Sequence, residues 1–329
     1  MIKSSAPTRI DLAGGTLDIW PLHLFFGNAP TLNAAINLYA TVELTPRNDK
    51  RIILRSQDLK IEVSFSSLSA LPDKHPLELL TRTVKFYSPK SGLEIFTHCQ
   101  APPGSGIGGS SALNIALHGA LNKFTGTRYR KSEIIDIAKN IETQVIGVPA
   151  GCQDYFSAMY GGVRAVKPGF LGIDSETLPI KPKELTQHFI LCYTGKLRNS
   201  GINNWEVTKK ALDGDKKVIR QLSTIRDCAL EMYQLLKKGR SSALASIFNK
   251  EWKARKQLAP TISTPQMEKL IQSALKKGAL AAKVCGAGGG GCVAFVVPPA
   301  KKQTIMEELN VRGGKVLPFQ FVSRGHLNQ

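Results

Sequence analysis

Residues Pro102 to Ala112 read PPGSGIGGSSA, and no other stretch narrows the fold of this chain as far. Two prolines enter it, glycines stand at 104, 106, 108 and 109, and Ser110 and Ser111 open an apolar helical pattern. Glycines there admit positive φ and carry no Cβ, so successive N–H groups can converge on an anion. A helix starting at the serines adds unpaired N–H groups and the positive end of its dipole, and the hydroxyls can reach a metal ion. The stretch predicts a phosphate cradle with a metal-bound phosphate as its guest.

Gly104, Gly106 and Gly109 also satisfy G-x-G-x-x-G. Two prolines stand before the first glycine, however, and no acidic residue closes a second strand at the distance a dinucleotide fold needs. Gly109 is followed by Ser110 with no lysine, which excludes a Walker loop. The plain alternative is a flexible Gly/Ser turn, against which the following helix argues.

With 329 residues, 42% of them hydrophobic, the chain has room for two domains around a substantial core. Met1 to Thr8 lacks the apolar region of a signal peptide, which predicts a cytoplasmic protein. The uncharged run from Ile19 to Val42 is long enough to cross a bilayer, but Pro21, Asn28, Asn33 and Asn37 would strand polar groups in lipid. A buried loop and helix are expected there, and no membrane partner. Six cysteines without a C-x-x-C pair, and no two histidines at ligand spacing, read as buried reduced thiols, Cys152 included, and exclude a zinc site or a disulfide framework.

The formal charge is +19. Its lysine pairs are dispersed, without interleaved aromatics or a nucleic-acid module, so a polyphosphate and an anionic substrate account for the surplus better than nucleic acid does.

Short β-rich runs at Tyr39–Thr45, Arg51–Ser56, Lys60–Phe65 and Leu93–His98 lead into the glycine loop. A helix is expected over Ser110–Phe124, and a second, capped by Ser132, runs to Val145 with Ile134, Ala138, Ile141 and Val145 along one stripe. Glu142 borders that stripe and calls for a cation or a donor. The change of domain is expected within Lys167–Pro182, followed by a strand over His188–Thr194. An amphipathic helix is predicted over Lys217–Leu236, and Thr264-Pro265 starts another. A second glycine run, Cys285 to Cys292, precedes the strand Val293–Val297. It reads either as a hairpin-like turn or as a backbone strip pressed against the first loop.

Three segments in this order, Ala6–Asp18 (APTRIDLAGGTLD), Pro103–Ala112 and Lys283–Gly291 (KVCGAGGGG), resemble the GHMP kinases, the family of galactokinase, homoserine kinase, mevalonate kinase and phosphomevalonate kinase. The first is similar to the R-x-D-L-x-G-G-T-x-D sequence of heptose 7-phosphate kinases and fucokinase-like sugar kinases. The resemblance implies an α+β fold with an N-terminal domain of the ribosomal-protein-S5 type, placed at 1–180, and a ferredoxin-like C-terminal domain at 181–329. It implies ATP and Mg²⁺ as cofactors and a small sugar or sugar phosphate as partner, in a monomer or homodimer.

Residue by residue, the resemblance assigns Ser110 and Glu142 to the metal, and Asp154 to the acceptor hydroxyl with Arg9 offsetting charge on the transferring group. Asp18 meets the acceptor. Pro103, Gly104, Ser105, Gly106, Ile107, Gly108, Gly109, Ser110 and Ser111, with Gly286, Gly288 and Gly289, hold the nucleotide. Gly109 departs from the family's G-L-G-S-S sequence by replacing its first serine, which leaves open whether Ser110 or Ser111 meets the metal. Taken alone, Arg9 could form a surface pair with Asp11, Asp18 a turn, and Asp154 a cap. Lys196 and Arg198, after a strand, form a candidate site for a distal phosphate on the acceptor. The implied reaction is transfer of the γ-phosphoryl group of ATP to a sugar hydroxyl, foremost the anomeric hydroxyl of a heptose 7-phosphate. The alternatives are a galactokinase or fucokinase, or a nucleotide- or sugar-binding protein without catalysis.

Overall fold

The computed structural model describes residues 1–195, 200–240 and 243–329, apart from the side chains of 200–203. Lys196 and Arg198 lie outside the described residues. The first sheet is built on a long antiparallel pair, β1 (Ile2–Ala13) and β2 (Thr31–Pro46), joined through one helical turn, α1 (Leu22–Phe25). It continues with β3 (Ile52–Ser56), β4 (Ile61–Phe65), β5 (Leu93–Cys99), β6 (Val163–Gly169) and β7 (Gly172–Thr177). In this sheet β5 lies between β2 and β3, and β6 pairs with β2.

The loop and helix expected over Ile19–Val42 are corrected in part, because the run becomes strand from Thr31 onward. Thr31 to Ile36 are all buried, so this half of β2 lacks the alternation that marks a one-sided strand. The same holds for the second half of β1, where Ala6 to Ala13 are buried without a break.

Four longer helices follow α1 in this half: α2 (Glu78–Tyr87), α3 (Gly109–Thr125), α4 (Lys131–Ile146) and α5 (Gln153–Tyr160). Of these, α3 lies along β1 and β2 and buries Ile115, Ala116 and Leu117 against them. The cap expected at Ser132 is also corrected. The cap is Arg130 and the helix begins at Lys131, two residues earlier than a Ser132 cap would place it, and the carboxylate of Glu133 accepts the Arg130 backbone N–H at 2.7 Å, so a residue within the first turn satisfies the helix start.

The second half carries α6 (Pro182–Gln187), β8 (Phe189–Tyr193), α7 (Ser200–Leu212), α8 (Lys216–Lys237) and α9 (Leu244–Lys256), then α10 (Pro265–Lys276), β9 (Ala281–Val284), β10 (Cys292–Val296), α11 (Lys302–Val311) and β11 (Lys315–Leu317). Asp215 caps α8 by accepting the N–H groups of Lys217 and Val218, and Thr264 caps α10 by accepting that of Met267. The strands form an antiparallel sheet in the order β11-β8-β10-β9, the ferredoxin-like arrangement.

Residues beyond β11 return to the first sheet, where β12 (Leu327–Asn328) pairs with β1 and Phe321 bridges to Ile36. One apolar core joins the two sheets: Ile10, Leu32 and Ile36 pack in the same cluster as Phe189, Leu191, Met232 and Phe248. At about 1.5–3 kcal/mol for each fully buried side chain, this shared core fixes the two halves against each other.

Candidate active site

The phosphate loop leaves β5 and enters α3, and Gly108 at φ +77° stands at the head of the helix, its carbonyl accepting the Ala112 N–H at 2.9 Å. The loop is held from both halves of the chain. Arg9 of β1 donates its backbone N–H to Ile107 O at 2.9 Å, and Cys292 of β10 donates to Ser105 O at 2.7 Å. The β9–β10 turn is a hairpin and also lies against the loop: a Cβ on Gly291 would come within 2.5 Å of Ser105 O. Only a glycine permits that approach.

Arg9 is buried, not at the surface. Its Nε donates to Asp154 Oδ1 at 2.7 Å, Nη2 stands 2.6 Å from the same oxygen, and Nη1 donates to Gly106 O at 2.8 Å. One side chain thus ties the loop to Asp154. Burial opposes the Arg9 charge, but Asp154 and Asp11 more than offset it, so its pKa rises. The other oxygen of Asp154 faces the loop, with Oδ2 3.2 Å from where a Cβ on Gly108 would sit, and the side chain is 23% exposed.

Asp154 does not cap α5. Asp18 does so from across the chain, its Oδ2 accepting Cys152 N–H at 2.7 Å and Gln153 N–H at 3.0 Å. Asp154, in the first turn of that helix, is left free for the cavity. Burial pushes the Asp18 carboxyl up to about 6, assisted by the charge of Asp154 and opposed by the backbone donors.

Glu142 of α4 is half-buried beside the head of α3. Burial raises its pKa, Asp154 adds to the rise, and the hydroxyls of Tyr155, Ser110 and Ser111 oppose it as donors. The Tyr155 hydroxyl and the Ser111 hydroxyl, the latter at 3.3 Å, both donate to Oε2. None of these influences is a cation. A carboxylate and serine hydroxyls are the hard oxygen donors that Mg²⁺ takes, and Mg²⁺ completes its shell with water and phosphate oxygens, so this set fits the ion. Ser110 is exposed at the helix head while Ser111 is buried.

Arg9, Asp18, Glu142 and Asp154 line one cavity of about 530 Å³ between the two halves of the chain, with Ser110 and Gly286 also in its wall. That volume suits a small-molecule site. Of the nucleotide residues expected from the sequence, Pro103 to Gly106 and Gly108 to Ser111 border the cavity. Ile107, Gly288 and Gly289 do not border it. Ile107 is fully buried in the core beneath the loop. Gly288 and Gly289 turn toward Ile262, whose carbonyl accepts the Gly289 N–H at 2.9 Å.

The sequence reading missed Thr16, Tyr155, Asn204 and Arg255, which also line the cavity. Thr16 and Tyr155 lie inside or beside motifs already noted. Nothing local singles out Asn204 or Arg255.

The model of the GHMP kinases N-terminal domain matches residues 77–162, and that of the GHMP kinases C-terminal domain matches residues 232–314. The chain belongs to the GHMP kinase family. It is 29% identical to a D-glycero-alpha-D-manno-heptose 7-phosphate kinase of Campylobacter jejuni over 98% of this chain and 97% of that protein. A mevalonate kinase of Pyrococcus furiosus is 26% identical over 95% of this chain and 94% of its own length. Among solved structures, a D-glycero-D-manno-heptose 1-phosphate kinase from Bacteroides thetaiotaomicron superposes with a TM-score of 0.81 at 27% identity, covering 100% of this chain and 99% of that one. The two-domain arrangement of this chain is the GHMP kinase fold. No helix among the described residues is long and apolar enough to cross a membrane.

Proposed function

We propose that this GHMP kinase transfers the γ-phosphoryl group of ATP to the anomeric hydroxyl of a heptose 7-phosphate. The observation that carries the reading is the placement of Asp154: one oxygen held by Arg9, the other open over the phosphate loop, in the cavity that also holds Glu142 and Asp18. The substrate class rests on the relatives named for heptose phosphates, which match this chain end to end.

Phosphoryl transfer asks for position and charge compensation more than for covalent chemistry. The loop amides and the head of α3 bind the β- and γ-phosphates. Asp154 Oδ2 accepts the proton of the acceptor hydroxyl as its oxygen bonds to the γ-phosphorus and the bond to the β-phosphate oxygen breaks, releasing ADP. Arg9, anchored on Gly106 O, holds the carboxylate at the loop and offsets negative charge there. Glu142 and Ser110 would hold Mg²⁺, which supplies compensation for the charge on the phosphates.

A panel of free sugars and sugar phosphates with Mg-ATP, read as ADP release, tests the proposal. The expected result is a kcat/KM for the heptose 7-phosphate at least about tenfold above that for galactose, fucose or mevalonate, a difference of about 1.4 kcal/mol in transition-state binding. Preference for an unphosphorylated sugar would refute it.

A further inference from the structure

Beside the cavity, reaching its wall through Arg255, lies a cluster of four charged side chains that the transfer chemistry does not use. Asp11 of β1, Glu251 and Arg255 of α9, and Lys283 of β9 are each at most 2% exposed. Lys283 Nζ donates to Asp11 Oδ1 at 3.2 Å and to Glu251 Oε1 at 2.8 Å, and Arg255 Nη1 stands 3.9 Å from Asp11 and 3.8 Å from Glu251. Two cations balance two anions, yet Asp11 Oδ2 and Glu251 Oε2 accept no hydrogen bond. A buried ion cluster with unfilled acceptors is a poor way to stabilise a fold.

Its outlet is Arg255. The guanidinium leaves the cluster and donates Nη1 to Gly15 O at 3.0 Å, and Nη2 to Thr16 Oγ1 at 3.1 Å and to Gly286 O at 2.9 Å. Gly15 and Thr16 belong to the first sequence motif, between Arg9 and Asp18; Gly286 belongs to the third. Thr16 sits at φ +84°, a conformation that a β-branched residue rarely adopts and that its surroundings must enforce. Its hydroxyl receives Arg255 and donates to Asn204 Oδ1 at 3.3 Å. Thr16, Asn204, Arg255 and Gly286 all border the cavity.

We propose that Arg255 is a positioning residue for phosphoryl transfer, oriented by the Asp11–Glu251–Lys283 cluster so that it holds Thr16 in its strained form and fastens the Gly15–Thr16 segment to the Gly286 strip. A lysine in its place keeps the charge but cannot fork to three acceptors. The inference rests on the kinase reading but not on the identity of the sugar. Kinetics are therefore measured with whichever sugar of the panel the wild-type enzyme phosphorylates, so a failed substrate assignment leaves this test intact.

The test is a cycle of Arg255→Lys, Thr16→Gly and the double variant, with acceptor KM, ATP KM, kcat and thermal midpoint measured for each. Glycine tolerates the φ of residue 16 without strain, so Thr16→Gly removes the hydroxyl without forcing the backbone. The expected result is a rise in acceptor KM on the order of tenfold in each single variant. ATP KM is expected to change less than about threefold, and the double variant to be no worse than Arg255→Lys, because the contact to the Thr16 hydroxyl is one of those that Arg255→Lys already removes. Wild-type acceptor KM in Arg255→Lys, or additive effects in the double variant, would overturn the proposal. Should Arg255→Lys fail to fold, wild-type acceptor KM in Thr16→Gly overturns it alone.

Discussion

Replacing Gly291 by alanine probes the contact between the two glycine segments more sharply than any change at a charged residue. The new Cβ would stand 2.5 Å from Ser105 O, 2.8 Å from Ser105 C and 2.9 Å from Gly104 O, all backbone atoms of the phosphate loop. Ordinary contact begins near 3.4 Å, so loop and strip must part by about 0.9 Å. That displacement stretches the Cys292 N–H to Ser105 O bond from 2.7 Å to about 3.6 Å, where it is no longer a hydrogen bond. Its loss costs about 1 kcal/mol. Holding alanine at φ +87° costs about 1–2 kcal/mol more.

The total, about 2–3 kcal/mol, lowers the thermal midpoint by on the order of 5 °C. If the loop amides bind the phosphates as proposed, shifting them by nearly 1 Å lowers kcat/KM by on the order of a hundredfold. Gly278→Ala is the control: φ there is +100°, and the nearest atoms are 3.6 Å away in the flexible side chain of Lys301. It carries the backbone strain alone and leaves turnover unchanged. Differential scanning fluorimetry and steady-state ATP kinetics on both variants decide the matter. If Gly291→Ala matches Gly278→Ala in both measurements, the two glycine segments do not act as one nucleotide site.

Asp154→Asn keeps an oxygen for Arg9 but cannot take a proton, so turnover falls about a hundred- to ten-thousandfold while nucleotide affinity by calorimetry stays within about threefold; undiminished turnover excludes Asp154 as the base. The folded-state pKa of Asp18 lies above its unfolded value, so the native state binds more protons and stability falls as pH rises through the interval from 3.8 to about 6. Asp18→Asn removes this loss, and its stability relative to wild type improves by about 2 kcal/mol between about pH 4 and about pH 7 in urea unfolding; a constant difference contradicts the assignment. Glu142→Gln removes a carboxylate that burial disfavours, so the protein without ligands stays as stable as wild type, whereas half-saturation by Mg²⁺ rises at least about tenfold in a metal titration of activity. Unchanged metal dependence would remove Glu142 from the metal site.

The phosphate loop and the helix after it were legible because their signal is local: glycines, two serines and a helical apolar period within one short stretch. The same is true of α8 and α10, where Asp215 and Thr264 cap stripes of regular spacing. The first half of β2 was hidden because residues buried on both faces show no period. Part of the site was hidden for another reason. Asp18 caps a helix far along the chain, and Arg255 meets Gly15 and Thr16 across 240 and 239 positions, so no window of sequence contains either relationship. Gly288 and Gly289 show the converse: glycine spacing marks close backbone approach but not which surface is approached, and theirs is Ile262 rather than the cavity.

The proposed reaction places the new phosphate on the anomeric oxygen of a phosphorylated heptose. Correlation of ³¹P with ¹H in the NMR spectrum of the product made from heptose 7-phosphate and Mg-ATP tests it most directly. The expected spectrum has a new phosphorus resonance coupled to H1, with the original phosphate still coupled to the C7 protons. A new phosphate on any other carbon, or no new resonance with ATP consumed or intact, contradicts it.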